Sequence, residues 1–378
     1  MSDEGRGRHS RRDDETRPID LGRVRPVPTD PEPAMAAALG VVHQSLAEMA
    51  NRATLPLLDT PSQPFRLRPV GATGLSVFPV VLDVARLAEM PAHSDAHRAL
   101  DAYATAGGNA FAIDDVADGS FAQLTGAWLA NRGRREQTVL IGRIGLTGGL
   151  TAAEVHASVR RLLRRLGVER LDLLVIAGHD PATTMEETLT AVAGLLDTDR
   201  VGHLAAGDHP PDRLIQARVL SGQRGLPRFE AVAPVHSLIR RDAYERSIAP
   251  VLHAQDLVAL PRSPLAGGFL AAAVPTRGAL RRLRELDPAR AERLQPSLTR
   301  RGMRVVEAVV RIAEQREAPP AAVALAWLLT RPRVAAPIVS AASVEQVRAV
   351  TAAAGVHLSR AEVTALERAS ADERAVAD

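Results

Sequence analysis

The chain contains no lysine and no cysteine. All 47 of its basic residues are arginine, so no catalytic ammonium can come from a lysine side chain. The missing cysteines exclude disulfides and thiolate metal sites, and they leave the redox compartment unread. Aromatic residues make up only 3% of 378 residues, and the two tyrosines are Tyr103 and Tyr244. A core must therefore be built from Ala, Val, Leu and Ile, which a hydrophobic content of 46% supplies amply. No stretch approaches the ~18 consecutive apolar residues of a membrane span, and the N-terminus lacks the apolar run of a signal peptide. The expectation is a cytoplasmic protein with no membrane partner.

The pI of 10.2 does not mark a nucleic-acid binder. Net charge is only +3, and without Lys or Cys little titrates between neutrality and the arginines. The arginines are interleaved with Asp and Glu rather than clustered, so no nucleic-acid partner is expected. Abundant Ala and Arg with no Lys fits a GC-rich coding bias.

Residues 1–34 are charged and proline-rich, with too little apolar content to repay ordering, and read as a disordered arm. Residues 35–64 read as an amphipathic helix and a linker: Met35, Leu39, Val42, Leu46 and Met49 recur at helical spacing, and LPLLDTPSQP follows. The helix is expected either to pack on its own domain or to dock a partner; in a binding or regulatory protein the arm and helix are the expected contact element. From residue 65 to 378, short apolar runs alternate with amphipathic stretches. Strands are expected at 77–82, 109–113, 138–142, 171–176, 203–206, 230–233, 257–260 and 335–339. Helices are expected at 151–166, 185–196 and 302–316, the first capped by Thr151. Eight β-then-α units argue for an α/β fold of the closed (β/α)8 TIM-barrel type. No G-x-G-x-x-G follows an early strand, which argues against a Rossmann domain.

Several segments resemble the aldo/keto reductases, in particular the branch with potassium-channel β subunits and many bacterial oxidoreductases. GATGLSVFP (71–79) is similar to the family's hairpin into the first barrel strand. RRLGVERLDLLVI (164–176) with DPATTMEETL (180–189) is similar to its fourth strand and next helix. SPLAGGFL (263–270) resembles the loop over the cofactor pyrophosphate, and PPAAVALAWLLTRPRVAAPIVSAASVEQV (319–347) its last barrel unit. The resemblance implies a TIM barrel that reduces carbonyls with NADPH, using an Asp, Tyr, Lys and His tetrad at the mouth. In that chemistry a tyrosine protonates the alkoxide left by hydride transfer, and an adjacent ammonium lowers its pKa.

Carried onto this chain, the tetrad positions hold other residues. In AGGNAFAIDDVADGS (106–120) the ungapped count places Ala112 at the aspartate and Ala117 at the tyrosine. A two-residue slip, which keeps strand facing, places Asp114 and Gly119 there instead. The lysine position falls on Arg143 and the histidine on Ala177, with His179 two residues on. Arg143 reads either as an anion binder or as an ion-pair partner of Asp114 or Asp115. The pair that would hold the nicotinamide amide is Gly207-Asp208, the strand-six glutamine is Ala233, and the expected stacking aromatic is His236. Arg262 stands where a tyrosine is common. The 2′-phosphate run is Ser340-Ala341-Ala342, without a basic anchor. Ser263, Leu265, Gly267, Ser343 and Gln346 remain as cofactor-binding candidates, so NADP(H) is expected to bind weakly or not at all.

Three functions stay open. The leading expectation is a pseudoenzyme: a reductase barrel with a binding or regulatory role. The first alternative is altered chemistry on an anionic small molecule, drawing on Asp114, Arg143, His179 and His236, with Arg262 and Arg143 as a clamp. The second is an NADP-dependent oxidoreductase. No metal site is expected, because His203 and His209 come without H-E-x-x-H or other ligand spacing.

Overall fold

The computed structural model describes residues 65–371, apart from 91, 117, 146–148, 179 and 272–276. The arm and helix expected before residue 65 lie outside the described residues, as does His179.

The chain opens with a hairpin of β1 (Arg68–Pro69) and β2 (Ser76–Val77), paired antiparallel. Its turn uses Gly71 and Gly74 at positive φ, where a side chain would be strained. Val70 and Val77 project into the barrel interior and are fully buried. The barrel strands then follow: β3 (Val81–Asp83), β4 (Ala110–Asp114), β5 (Val139–Ile144), β6 (Leu171–Ile176), β7 (Val201–Ala206), β8 (Ala231–Val232), β9 (Val258–Ala259) and β10 (Ile338–Ser340). All pair parallel, in the order β10-β3-β4-β5-β6-β7-β8-β9. Backbone hydrogen bonds from Ala335 N to Ala259 O (2.8 Å) and from Ile338 N to Pro261 O (2.7 Å) bring the two edges together, so the sheet closes.

One expected strand divides. The run 77–82 contributes Val77 to the hairpin, and the barrel strand begins only at Val81. Pro79 lies between them and has no N–H for a ladder. Asn109 fastens the gap, accepting from Phe78 N at 2.8 Å and donating to Ser76 O at 2.9 Å. The barrel strand therefore runs one residue further than expected and ends on Asp83. A 3-10 turn, Val84–Glu89, follows, and the Asp83 side chain caps it by accepting from Ala85 N at 2.9 Å.

The helices are α1 (His93–Thr105), α2 (Ser120–Arg132), α3 (Ala152–Leu166), α4 (Met185–Asp197), α5 (Pro211–Arg224), α6 (Ala249–Gln255), α7 (Arg277–Leu286), α8 (Pro288–Leu294), α9 (Arg300–Gln315), α10 (Pro320–Leu329), α11 (Val344–Thr351) and α12 (Arg360–Ser370). A π-helical turn, Tyr244–Ile248, leads into α6. α3 starts as its sequence suggests: Thr151 and Glu154 form a reciprocal capping box.

The core has two shells. Inside the barrel are Val, Ala, Leu and Ile; between sheet and helices is a larger shell that holds the bulky side chains. The few aromatics are concentrated there. Phe65, Phe78, Tyr103, Phe111 and Trp128 form an edge-to-face chain with centroid spacings of 4.9, 6.0, 5.2 and 5.6 Å.

Candidate functional site

Strand alternation decides which side chains reach the mouth, the end of the barrel where the strands' C-termini lie. Val81, Ala112, Ile141, Val175, Ala205 and Leu260 belong to the interior shell. Two residues further along each strand, the inward positions are Asp83, Asp114, Arg143, Ala177, Gly207 and Arg262. The mouth therefore has two unlike halves. Among the described residues, the inward positions past β6 and β7 are Ala177 and Gly207. On β3, β4, β5 and beyond β9 every inward position is charged.

Asp114 pairs with Arg143 in strand register. The guanidinium grips the carboxylate in a bidentate fork, with Nε donating to Oδ1 at 2.7 Å and Nη2 to Oδ2. Both side chains are largely buried, at 14% and 13% exposure. Asp115 faces the other way. It takes a bidentate bond from Arg161 on α3 and pins that helix to the end of β4. Of the two carboxylates weighed as partners of Arg143, Asp114 is the one that meets it.

Arg262 reaches back over β8. Its Nε donates to Ala233 O at 3.1 Å and its Nη2 pairs with Asp208, which is 49% exposed.

Asp83 was not among the sequence candidates, because the expected strand stopped at Leu82. Its signal is the alternation itself: it lies two residues past Val81, an interior residue. It pairs in register with Ala112, one inward step deeper than Asp114. Its carboxyl is pushed up to about 6, chiefly by burial and then by the nearby Asp114 carboxylate. The Ala85 N–H and the charges of Arg143 and Arg262 pull in the other direction.

Neither tyrosine reaches this mouth. Tyr103 is fully buried between α1 and the sheet, with its hydroxyl 2.7 Å from Val80 O and 2.9 Å from Ala110 O. Burial raises its pKa well above the ordinary tyrosine value. Tyr244 stacks on His236 with centroids 4.1 Å apart, and burial raises it to about 12. His236 is itself fully buried, with its ring edge-on to Trp327 at 5.4 Å. Burial lowers its pKa, against the pull of Glu245, whose Oε1 lies 3.7 Å from Nε2, too far for a direct hydrogen bond. The structure thus places His236 in the helix layer, apart from the Asp114–Arg143 pair. His209 is buried too, tilted against Phe229 at 5.5 Å.

The cofactor candidates are placed as follows. Ser263 and Ala266 adopt positive φ values of 51° and 49°, ahead of Gly267 at 72° and Gly268 at 95°, so the loop is a tight left-handed turn. Leu265 is buried in the core. Ser343 Oγ accepts from Gln346 N at 3.2 Å, and Gln346 Oε1 accepts from Ala342 N at 2.9 Å. Ser343 thus caps α11, Gln346 ties back the residue before that cap, and no basic residue lies between Ser340 and Gln346. Among the described residues no group of three or more His, Asp and Glu side chains is placed to hold a metal ion, and no helix is long and apolar enough to cross a membrane.

A closed parallel eight-stranded barrel with helices outside and a two-stranded hairpin before its first strand has a counterpart among known families. The aldo/keto reductase family model matches residues 85–371, and the chain belongs to that family. Among similar proteins, norsolorinic acid reductase stcV of Emericella nidulans is 24% identical over 282 residues, covering 71% of this chain and 70% of that protein. An aryl-alcohol dehydrogenase of Pestalotiopsis microspora is 25% identical, covering 71% of each chain. A Schizosaccharomyces pombe protein named as a voltage-gated potassium channel β subunit is 26% identical, covering 53% of this chain and 59% of that protein.

Proposed function

We propose that this barrel is a pseudoenzyme of the aldo/keto reductase family, with a binding or regulatory role in place of carbonyl reduction. One observation carries the reading. The chain has no lysine, and its two tyrosines are buried in the helix layer, so no tyrosine–lysine acid stands among the described residues of the mouth. Reduction by hydride transfer needs an acid positioned to protonate the developing alkoxide. Arg143, at the position matched to the family lysine, is held by Asp114 in a pair built into the strand register.

The dinucleotide fits this mouth poorly. At the turn into α11, where the family's 2′-phosphate would sit, Ser343 caps the helix and residues 340–346 include no basic residue. His236 lies fully buried against Tyr244 and presents no ring face to a nicotinamide. The relatives named as reductases and dehydrogenases support a shared scaffold, and their reactions are not carried over. Residues 1–64 are proposed as the contact element for a protein partner, and the cytoplasm as the compartment.

The test is turnover. Purified full-length protein is incubated with NADPH and a panel of aldehydes and quinones, and absorbance of the reduced nicotinamide is followed. No oxidation above the uncatalysed rate is expected. Sustained turnover abolished by Arg143→Ala would sink the reading.

A further inference from the structure

Two guanidiniums converge on one carboxylate at the mouth. Sheet order places β3 midway between β5 and β9, two strands from each. Arg143 at the end of β5 and Arg262 beyond β9 therefore approach Asp83 from opposite sides, and both act on its charge. Neither hydrogen-bonds to it. Arg143 spends Nε and Nη2 on Asp114, while Arg262 spends them on Ala233 O and Asp208. The Nη1 arm of each guanidinium bonds to none of the described residues. Beside them, among the described residues, lie the inward positions Ala177 and Gly207, neither of which carries a functional side chain. Asp83 is thus an anion supplied by the chain itself, deep between two cations whose remaining donors are unspent.

We infer that the mouth binds a small carboxylate-bearing molecule between Arg143 and Arg262, in competition with the chain's own Asp83. The guanidinium fork matches a planar carboxylate. The inference rests on the non-reductase reading only in taking the mouth to be free of a dinucleotide, and it names the class of ligand that a binding role would use. The charges facing Asp83 are Asp114 from β4, Arg143 from β5 and Arg262 from beyond β9. β10 contributes only Ser340, its register partner, and the 3-10 turn contributes the Ala85 N–H. An incoming carboxylate would be a third anion beside Asp83 and Asp114. Binding is relieved of that repulsion when Asp83 takes up one proton from solvent. No bond is made or broken beyond that proton transfer.

The sign follows. The protonated form of Asp83 favours the ligand, so affinity is flat below about pH 6 and weakens by about tenfold per pH unit above it. Calorimetry on the full chain between pH 5 and 8 reads this, with acetate and malonate as probes and ethylammonium as the opposite charge. Asp83→Asn keeps an oxygen to cap Ala85 N–H and removes the competing charge. It is expected to bind malonate at pH 8 at least ~10-fold more tightly than the parent, with the pH dependence gone. Arg262→Gln is expected to lose binding at every pH, with a normal thermal melt showing that it is folded. The inference is overturned if Asp83→Asn binds malonate no better than the parent at pH 8, or if ethylammonium binds and the carboxylates do not. NADPH turnover in the separate assay would remove the pseudoenzyme reading and leave the Asp83→Asn readout standing.

Discussion

The lower barrel and the mouth are built from the same strands by opposite rules. Along β4, Ala110 and Ala112 face an interior of Val, Leu and Ile, and the next inward residue, Asp114, faces a guanidinium. Along β5, Val139 and Ile141 give way to Arg143 in the same manner. The change occupies one inward step. Below it, packing needs small apolar side chains and tolerates no charge. Above it, partly solvated charges are held in pairs. A barrel scaffold and its mouth are thus separable, because the scaffold depends on alternation and volume while the mouth depends on individual side chains.

The sharpest break of that boundary is Ala112→Asp. Ala112 is 6% exposed, and a carboxylate there would lie one step below the Arg143 fork. A loss of about 3–5 kcal/mol is expected in urea unfolding, the range for an unpaired buried charge. A cost under about 1 kcal/mol would mean that β4 tolerates a second carboxylate at the level where Asp83 already stands on β3.

Next in size is a contrast between the two mouth pairs. Asp114→Ala leaves Arg143 largely buried and unpaired, and is expected to cost about 2–4 kcal/mol. Asp208→Ala removes a half-exposed carboxylate and is expected to cost under about 1 kcal/mol. Equal costs by chemical denaturation would erase the distinction between a pair built into strand register and one formed by a surface arm.

A third effect is the most informative about pH. Asp83 has a folded pKa of about 6, above the ordinary carboxyl value. A raised carboxyl favours the fold below the unfolded pKa, and that contribution is lost as pH rises through the folded value. Asp83→Asn should therefore be more stable than the parent at pH 7, by roughly 1–3 kcal/mol after solvent screening. The two should converge near pH 4. Melting curves at both values check this, and a variant less stable at pH 7 would show that Asp83 is held as a favourable ion.

How much of this could be read from the chain differs between the same two regions. The barrel was legible because β-then-α alternation repeats eight times and the strand at 171–176 sits between clear turn residues. The strand at 77–82 was misjudged where Pro79 interrupts the ladder, and with it Asp83 was lost. Asp114, reached by a two-residue slip that keeps strand facing, and Arg143 are both candidates from sequence, but their union needed the register to be seen. His236 looked like a mouth residue by its place in the strand-eight loop. Its burial against Tyr244 and Trp327 comes from the outward turn of the chain after Val235, which bridges to Arg262.

The most direct measurement of the non-reductase reading is a fluorescence titration of the full-length protein with NADPH. The expected result is no saturable binding up to about 1 mM, since residues 340–346 include no basic residue to hold the 2′-phosphate. Saturation in the micromolar range would contradict it, because the cofactor cradle would then survive without its anchors.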